Sequence, residues 1–516
     1  MSAAKPPIWA RIWGGSSPLT LIIRSICALL LLGIVLVIAW QVAARYIPNM
    51  RIPRWTEEVS LIMMVWLSML GSGLAVRAGE HLAVDIFFKQ LPSRLRAWLN
   101  RLIWLLVAGF GLYLLNYGWE LSQRTMSQTF AATKIPIGYM YLALPFGGLL
   151  IAIYALILVF SPFKLSSRLS VDKEADIGQP KLPWLGPSLL IIFTIVALLI
   201  FGVDKLLSPT GILISSLVFL LILGVPIAIA LAISCLLTVF NLGLPPLIVA
   251  QRMANGINST PLLAIPFFIL AGQIMAMGGI AQRLVNFSRV LVGPIRGGLA
   301  MVNVVSSMLF GGASGSAVAD VSANGSILIP MMKKKGYDSD FSVAITVTSS
   351  TQGLIIPPSH NAVIYSLAAG GVSIGALFLA GYLPGIMIGL SLMVACYILA
   401  LRRGYPTDQR PPLGESLRIS LNAIPSLMVG LIIVGGIAFG WFTATEAAAI
   451  GTVVAFLIAT LVYRELGLKT LWLATLQAVR TIAIVIFLIA TASAFAWLMK
   501  PICAFPPPCQ WHLGAK

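Results

Sequence analysis

"GGASGSAVAD", residues 311–320, decides how this chain folds. Apolar runs flank it on both sides, yet it strings small residues together and ends on a carboxylate. In lipid, irregular backbone is tolerated only where protein buries it or where it lines a polar cavity. Glycine allows a turn that a Cβ would obstruct. Serine hydroxyls and turned-out carbonyls are hard oxygen ligands. Asp320 adds a charge that is costly in hydrocarbon and calls for a cation partner. Two readings fit the stretch taken alone. One is a hairpin tip that holds a cation such as sodium; the other is a small-residue packing motif with Asp320 capping a helix.

The rest of the chain supplies the lipid context. Of 516 residues, 59% are hydrophobic and 10% charged, against about 25% charged in a soluble domain. Several apolar runs reach the roughly 18 residues of a membrane span. The net charge of +18 does not indicate nucleic acid, because Lys and Arg sit in short loops between spans, where they set topology. Cys27, Cys235 and Cys396 lie inside apolar runs and read as small core residues, so no disulfide framework is implied. Cys503, Cys509 and His512 are spaced too loosely to argue for zinc. No phosphate-binding G-x-x-x-x-G-K motif occurs, so ATP hydrolysis on this chain is not expected to drive it. The first apolar run is too long for a cleaved signal and is expected to stay as the first span.

The expected architecture is all-α and polytopic. Residues 1–160 form a four-span block (21–43, 59–76, 102–119, 139–160), followed by a charged linker and a connecting span over 161–204. A longer block follows over 205–400, and a related, incomplete one over 401–499. With the N-terminus in the cytoplasm every cationic cluster falls inside, provided 301–332 enters and leaves on the same side. That makes 301–332 a re-entrant hairpin with GGASGSAVAD at its tip. Residues 282–296, with spaced apolar positions and cations, read as an interfacial helix.

The second block repeats. VPIAIALAIS (225–234) resembles ATEAAAIGT (444–452), and in each copy an apolar span, a more polar connector and another apolar span follow. The charge of the connectors puts the copies in opposite orientations, the pattern of many secondary transporters. A second hairpin would begin just beyond Lys516, and KPICAFPPPCQWHLGAK (500–516) stands there instead as an aberrant tail. The expectation is a C-terminally truncated chain.

SSTQGLIIPPSHNAVIY (349–365) interrupts a further span. Pro357 and Pro358 remove two donors, and Gly353 loosens the same turn. A broken span beside a re-entrant hairpin is the arrangement expected of an ion and substrate site. His360, just after the break, reads first as a hydrogen-bonded packing residue and second as a substrate contact or proton relay. Arg77, Glu80, His81 and Asp85 cluster at a span end and read as an interfacial network. Catalysis there would need a nucleophile or metal, and the sequence offers neither. Trp55 reads as an interface anchor, and Glu57 and Glu58 as a dipole-matched helix start.

Several motifs, in this order, resemble tripartite ATP-independent periplasmic (TRAP) transporters, with a small and a large membrane subunit fused. WTEEVSLIMMVWLSMLGSGLAVRAGEHLAVDIF carries the small-subunit resemblance. GVPIAIALA, AIPFFILAGQIM, GGASGSAVAD, MMKKKGYD, IIPPS, AGYLPG and TATEAAAIGT carry the large-subunit one. The resemblance implies a sodium-coupled, elevator-like importer in a bacterial inner membrane. A periplasmic substrate-binding protein would supply it with an organic acid of the sialic acid, sugar acid or dicarboxylate class. It places the first-repeat site on Ser314, Gly315, Ser316 and Asp320, with Ser349, Gly353, Pro357 and Ser359 nearby, and Na+ on Ser314, Ser316 and Asp320. The family's second hairpin and second broken span have no counterpart up to Lys516, so impaired transport is expected. The alternative is a non-transporting membrane remnant that binds partners.

Overall fold

Helices form along the apolar runs, with Pro330, Pro384 and Pro425 accommodated inside them. The computed structural model describes residues 18–51, 53–78, 93–160, 208–315, 317–408 and 411–504. Among these, regular structure is helical, apart from an isolated bridge between Thr129 and Pro136. Among the described residues, nine helical segments are long and apolar enough to cross a membrane. The protein is therefore an all-α, multi-pass membrane protein. The linker and connecting span expected over 161–204 lie outside the described residues, as do His81 and Asp85.

The first four spans are α1 (Pro18–Tyr46), α2 (Thr56–Ala78), α3 (Ser93–Thr125) and α5 (Ala143–Phe160), with a short α4 (Gly138–Tyr141) before the last. Glu57 and Glu58 occupy the first turn of α2, where acids complement the helix dipole. α6 (Pro209–Ile222), α7 (Ile227–Asn241) and α8 (Leu247–Ile257) follow. Ser208 caps α6 by accepting from the Gly211 N–H, with Pro209 at its first position.

The chain divides into two compact units. One comprises residues 1–27, 64–258 and 483–516. In it α3 and α5 pack backbone to backbone, and a Cβ on Gly111 would lie 2.6 Å from the Ala152 nitrogen. Amphipathic α8 is held by two tyrosines. Tyr113 donates to the Pro246 carbonyl at 2.8 Å and accepts from the Ala250 N–H at 3.0 Å. Tyr141 donates to Asn255 Oδ1 at 2.8 Å.

The other unit comprises residues 28–63 and 259–482. It contains α9 (Ala264–Met277), α10 (Ile280–Val292), α11 (Gly298–Ser314), α12 (Ala317–Lys334) and α13 (Ser339–Ser350). A 3-10 turn (Thr351–Leu354), α14 (His360–Ala368), α15 (Ile374–Arg403), α16 (Leu413–Ala438) and α17 (Ala444–Leu457) complete it. α17 opens with a capping box between Thr443 and Glu446, and Arg45 of α1 pairs with Glu446 at 2.5 Å.

Two expectations need correction. The amphipathic helix expected over 282–296 is α10 and stops at Val292, because Gly293 and Pro294 end it. Its cations do more than face an interface. Arg283 pairs with Glu465 and lies 4.0 Å from the Tyr463 ring centroid, and Arg289 pairs with Asp408. The more polar connector of the second copy, residues 463–481, is mostly part of α18 (Leu468–Ala504), which runs on through the following span. In the first copy Asn258, Ser259 and Pro261 separate α8 from α9, whereas no proline occurs between Leu468 and Pro501.

Candidate functional site

The puzzle stretch breaks the helix, and glycine makes the break. Gly315 ends α11 with φ of +61°, in the left-handed region that suits a residue without Cβ. Its N–H bonds to the Gly311 carbonyl at 2.8 Å. α12 then starts at Ala317 with Asp320 in its first turn. Ser314 is the last residue of α11; its side chain, and Ser316 altogether, lie outside the described residues.

The second break is made by proline. α13 tightens into the 3-10 turn, the chain runs irregularly through Pro357 and Pro358, and α14 begins at His360. Ser359 precedes α14 in extended conformation without capping it. Its hydroxyl instead donates to the Leu354 carbonyl at 2.5 Å, satisfying an acceptor that the prolines leave free. Pro357 and Ser359 are buried, while Thr351 and Asn361 are exposed.

The two breaks meet. A Cβ on Gly353 would lie 2.8 Å from the Gly311 Cα, so the 3-10 turn rests directly on α11. A Cβ on Gly315 would lie 2.6 Å from the Pro358 carbonyl oxygen and 3.2 Å from the His360 nitrogen. α15 supports the break from another side through Gly381, Gly385 and Gly389, spaced four residues apart. A Cβ on Gly381 would lie 2.5 Å from the Ile355 carbonyl, and one on Gly389 2.6 Å from Gln352 Oε1. Small residues at this spacing let helix backbones approach closely in a membrane.

A buried polar network fills the contact. Asn303, Ser306 and Ser307 on α11, Asp320 and Asn324 on α12, and Thr346, Ser349 and Ser350 on α13 are all fully buried. Asn303 donates to Thr346 Oγ1 at 2.6 Å, Ser349 donates to Asn303 Oδ1 at 3.3 Å, and the Ser307 and Ser349 hydroxyls are 3.2 Å apart. Ser306 donates to Asn324 Oδ1 at 2.9 Å, and Asn324 donates to Asp320 Oδ1 at 2.5 Å. The Ser350 hydroxyl donates to the Thr346 carbonyl at 2.7 Å.

Three buried polar atoms at these breaks have no hydrogen-bond partner: Asp320 Oδ2, Gln352 Oε1 and His360 Nδ1. Buried polar groups are ordinarily paired, and an unpaired carboxylate oxygen in a dry site is among the most costly. Among the described residues no lysine or arginine pairs with Asp320.

Of the residues expected at the site, the structure gathers Gly315, Asp320, Ser349, Gly353, Pro357 and Ser359. It adds Asn303, Ser307, Asn324, Thr346 and Gln352, which the sequence reading did not assign to it. The signal for most of these was present. Residues 303, 306 and 307, 320 and 324, and 346, 349 and 350 repeat at helical spacing within apolar runs, marking one polar face per helix.

A polytopic all-α protein whose two intramembrane breaks face each other over a buried carboxylate has the architecture of a membrane permease. Comparison with known proteins defines which kind. Residues 34–165 match the DctQ component of tripartite ATP-independent periplasmic transporters, and residues 214–502 match the DctM component. The isethionate TRAP transporter permease protein DctMQ of Oleidesulfovibrio alaskensis is 33% identical over 483 residues, covering 91% of this chain and 73% of that protein. The sialic acid TRAP transporter permease protein SiaT of Haemophilus influenzae is 32% identical over 461 residues, covering 86% of this chain and 71% of its own length. The 2,3-diketo-L-gulonate TRAP transporter large permease protein YiaN of Escherichia coli is 39% identical over 278 residues, covering 54% of this chain and 65% of that protein. The chain belongs to the TRAP transporter family and carries the DctQ and DctM components in one polypeptide.

Proposed function

We propose that this chain is the membrane component of a sodium-coupled secondary importer of organic acids, supplied by a periplasmic substrate-binding protein, with its N-terminus in the cytoplasm. The carrying observation is the pair of facing breaks around buried Asp320, whose Oδ2 has no partner. The donor set fits a hard monovalent cation. Carboxylate, amide and hydroxyl oxygens come from Asp320, Gln352, Ser307 and Ser350, and the unpartnered Oδ2 and Gln352 Oε1 are what a cation would satisfy. Bound sodium would supply the positive charge that Asp320 lacks and tie hairpin to broken span, linking ion occupancy to the conformations that carry substrate. Ser314 and Ser316 remain proposed ligands on the tip.

The substrate class is supported by the relatives, whose names specify isethionate, sialic acid and 2,3-diketo-L-gulonate. The reading assigns the chain transport and no catalysis. Orientation rests on loop charge: Lys333, Lys334 and Lys335 follow the hairpin, and Arg402 and Arg403 end α15.

The test is uptake by proteoliposomes containing the full chain. Labelled isethionate, sialic acid and a C4-dicarboxylate are each offered with a matching binding protein under an inward sodium gradient. Uptake is expected only with both sodium and binding protein, and Asp320→Asn should abolish the sodium requirement or the uptake. Uptake unaffected by replacing sodium with choline would refute the coupling. No uptake of any acid would favour the membrane component that binds partners without transporting.

A further inference from the structure

Ser306, Asn324 and Asp320 are fully buried and form a directional chain. Residues 320 and 324 lie four apart on α12 and so share one face of that helix. A carboxylate only accepts hydrogen bonds, so the Asn324 amide must turn Nδ2 toward Asp320 Oδ1, which it meets at 2.5 Å. That leaves Asn324 Oδ1 for Ser306 of α11, which donates to it at 2.9 Å. The chain thus runs from one leg of the hairpin to the carboxylate on the other. It pins one oxygen of Asp320 and leaves Oδ2 without a partner. The broken span repeats the pattern. Gln352 donates through Nε2 to the Ser349 carbonyl at 3.0 Å, and its Oε1 has no partner. A network serving only to bury these groups would satisfy both ends of each. Asn303, the buried asparagine of α11, is spent on α13 through Thr346 and Ser349.

We infer that Asn324 is a positioning residue, braced by Ser306, that fixes the Asp320 carboxylate with Oδ2 held ready for a small hard cation. The inference rests on the proposed cation site. A neutral amide suits this role. It holds the carboxylate in one orientation without cancelling its charge, as a lysine or arginine would, so the charge is left for the cation. Fixing the oxygen in advance lowers the ordering cost of binding. Without the amide the carboxylate is free to rotate, and the cation must order it.

The experiment measures the thermal unfolding midpoint of the purified full chain against sodium chloride, with choline chloride holding ionic strength constant. The midpoint should begin to climb near the dissociation constant and rise with the logarithm of sodium above it. Asp320→Asn should abolish the climb. Asn324→Leu keeps the side chain's size but removes the amide, and should move the onset to about tenfold higher sodium, as for one lost hydrogen bond. Ser306→Ala leaves the amide in place but unbraced, and should move the onset about threefold. Asn324→Gln keeps an amide within reach of a carboxylate one turn away. It should hold the onset within about twofold even where its extra methylene lowers the sodium-free midpoint. An amide that only fills space would lower the sodium-free midpoint in Asn324→Leu and leave every onset at the parent value. That result would overturn the inference and leave the cation site standing. Where Asn324→Leu fails to fold, Ser306→Ala decides, and an unmoved onset there overturns the inference. Absence of any climb in the unsubstituted chain would overturn the cation site and the inference with it.

Discussion

Replacing Gly311 with alanine should unseat the hairpin tip. The intrinsic preference of a helix interior favours the change by about 0.5–1 kcal/mol. Packing opposes it. The neighbour is the Gly353 backbone, which has no rotamer to swing away, and the reciprocal Cβ on Gly353 would sit 2.8 Å from the Gly311 Cα, where ordinary contacts begin at 3.4 Å. Overpacking usually costs about 1–3 kcal/mol, and a backbone neighbour places this case at the upper end, near 3. The net expectation is destabilisation by about 2 kcal/mol, with a weakened sodium response because the two breaks part. Gly325→Ala is the matched control. It lies in α12 of the same hairpin, and its Cβ would meet only Thr346 Cγ2 at 3.3 Å and Ile329 Cδ1 at 3.4 Å. That variant should be neutral or slightly stabilised. Equilibrium unfolding in mixed micelles compares the two. Gly311→Ala at least as stable as the parent, or less damaging than Gly325→Ala, would refute the close-approach reasoning.

Other predictions concern the ends and flanks of the fold. Burial alone would raise the Asp408 carboxyl, but the hydrogen bond and charge of Arg289, joined by Lys335, outweigh it and hold it below the ordinary carboxylate range. A depressed folded-state value stabilises above the unfolded value of about 3.9 and is lost as pH falls through the folded one. Asp408→Asn should therefore cost about 2 kcal/mol from pH 7 down to 5, with the gap closing below about pH 4 in acid unfolding curves. Arg45 is half-exposed while Glu446 is buried. A double-mutant cycle with alanine at both should give a coupling of about 1 kcal/mol, and a coupling near zero would mean the capping box alone holds Glu446. Tyr113→Phe leaves the Ala250 N–H and Pro246 carbonyl without their shared hydroxyl. It should cost about 1–2 kcal/mol and speed hydrogen exchange at Ala250 selectively.

The breaks were legible because their causes are local. Gly315 turns left-handed and Pro357–Pro358 withholds donors whatever surrounds them, so the stretches at 311–320 and 349–359 announce irregular backbone on their own. The second-copy connector misled for the opposite reason. Its charges marked a loop, but without proline the helix ran on through them from Leu468. Gln352 carried no signal at all, since a lone glutamine in a polar run gives no hint that its oxygen ends up buried against Gly389.

By itself the sequence determined the all-α membrane class and the two points where helix geometry fails, since hydropathy, glycine and proline act over a few neighbouring residues. Only the tertiary structure decided which break faces which, that Gly311 lies on Gly353 and Gly315 on Pro358, and that Asp320 is left with one oxygen unpaired. Those facts depend on the packing of distant helices, where close approach is set by the absence of a Cβ on both partners at once.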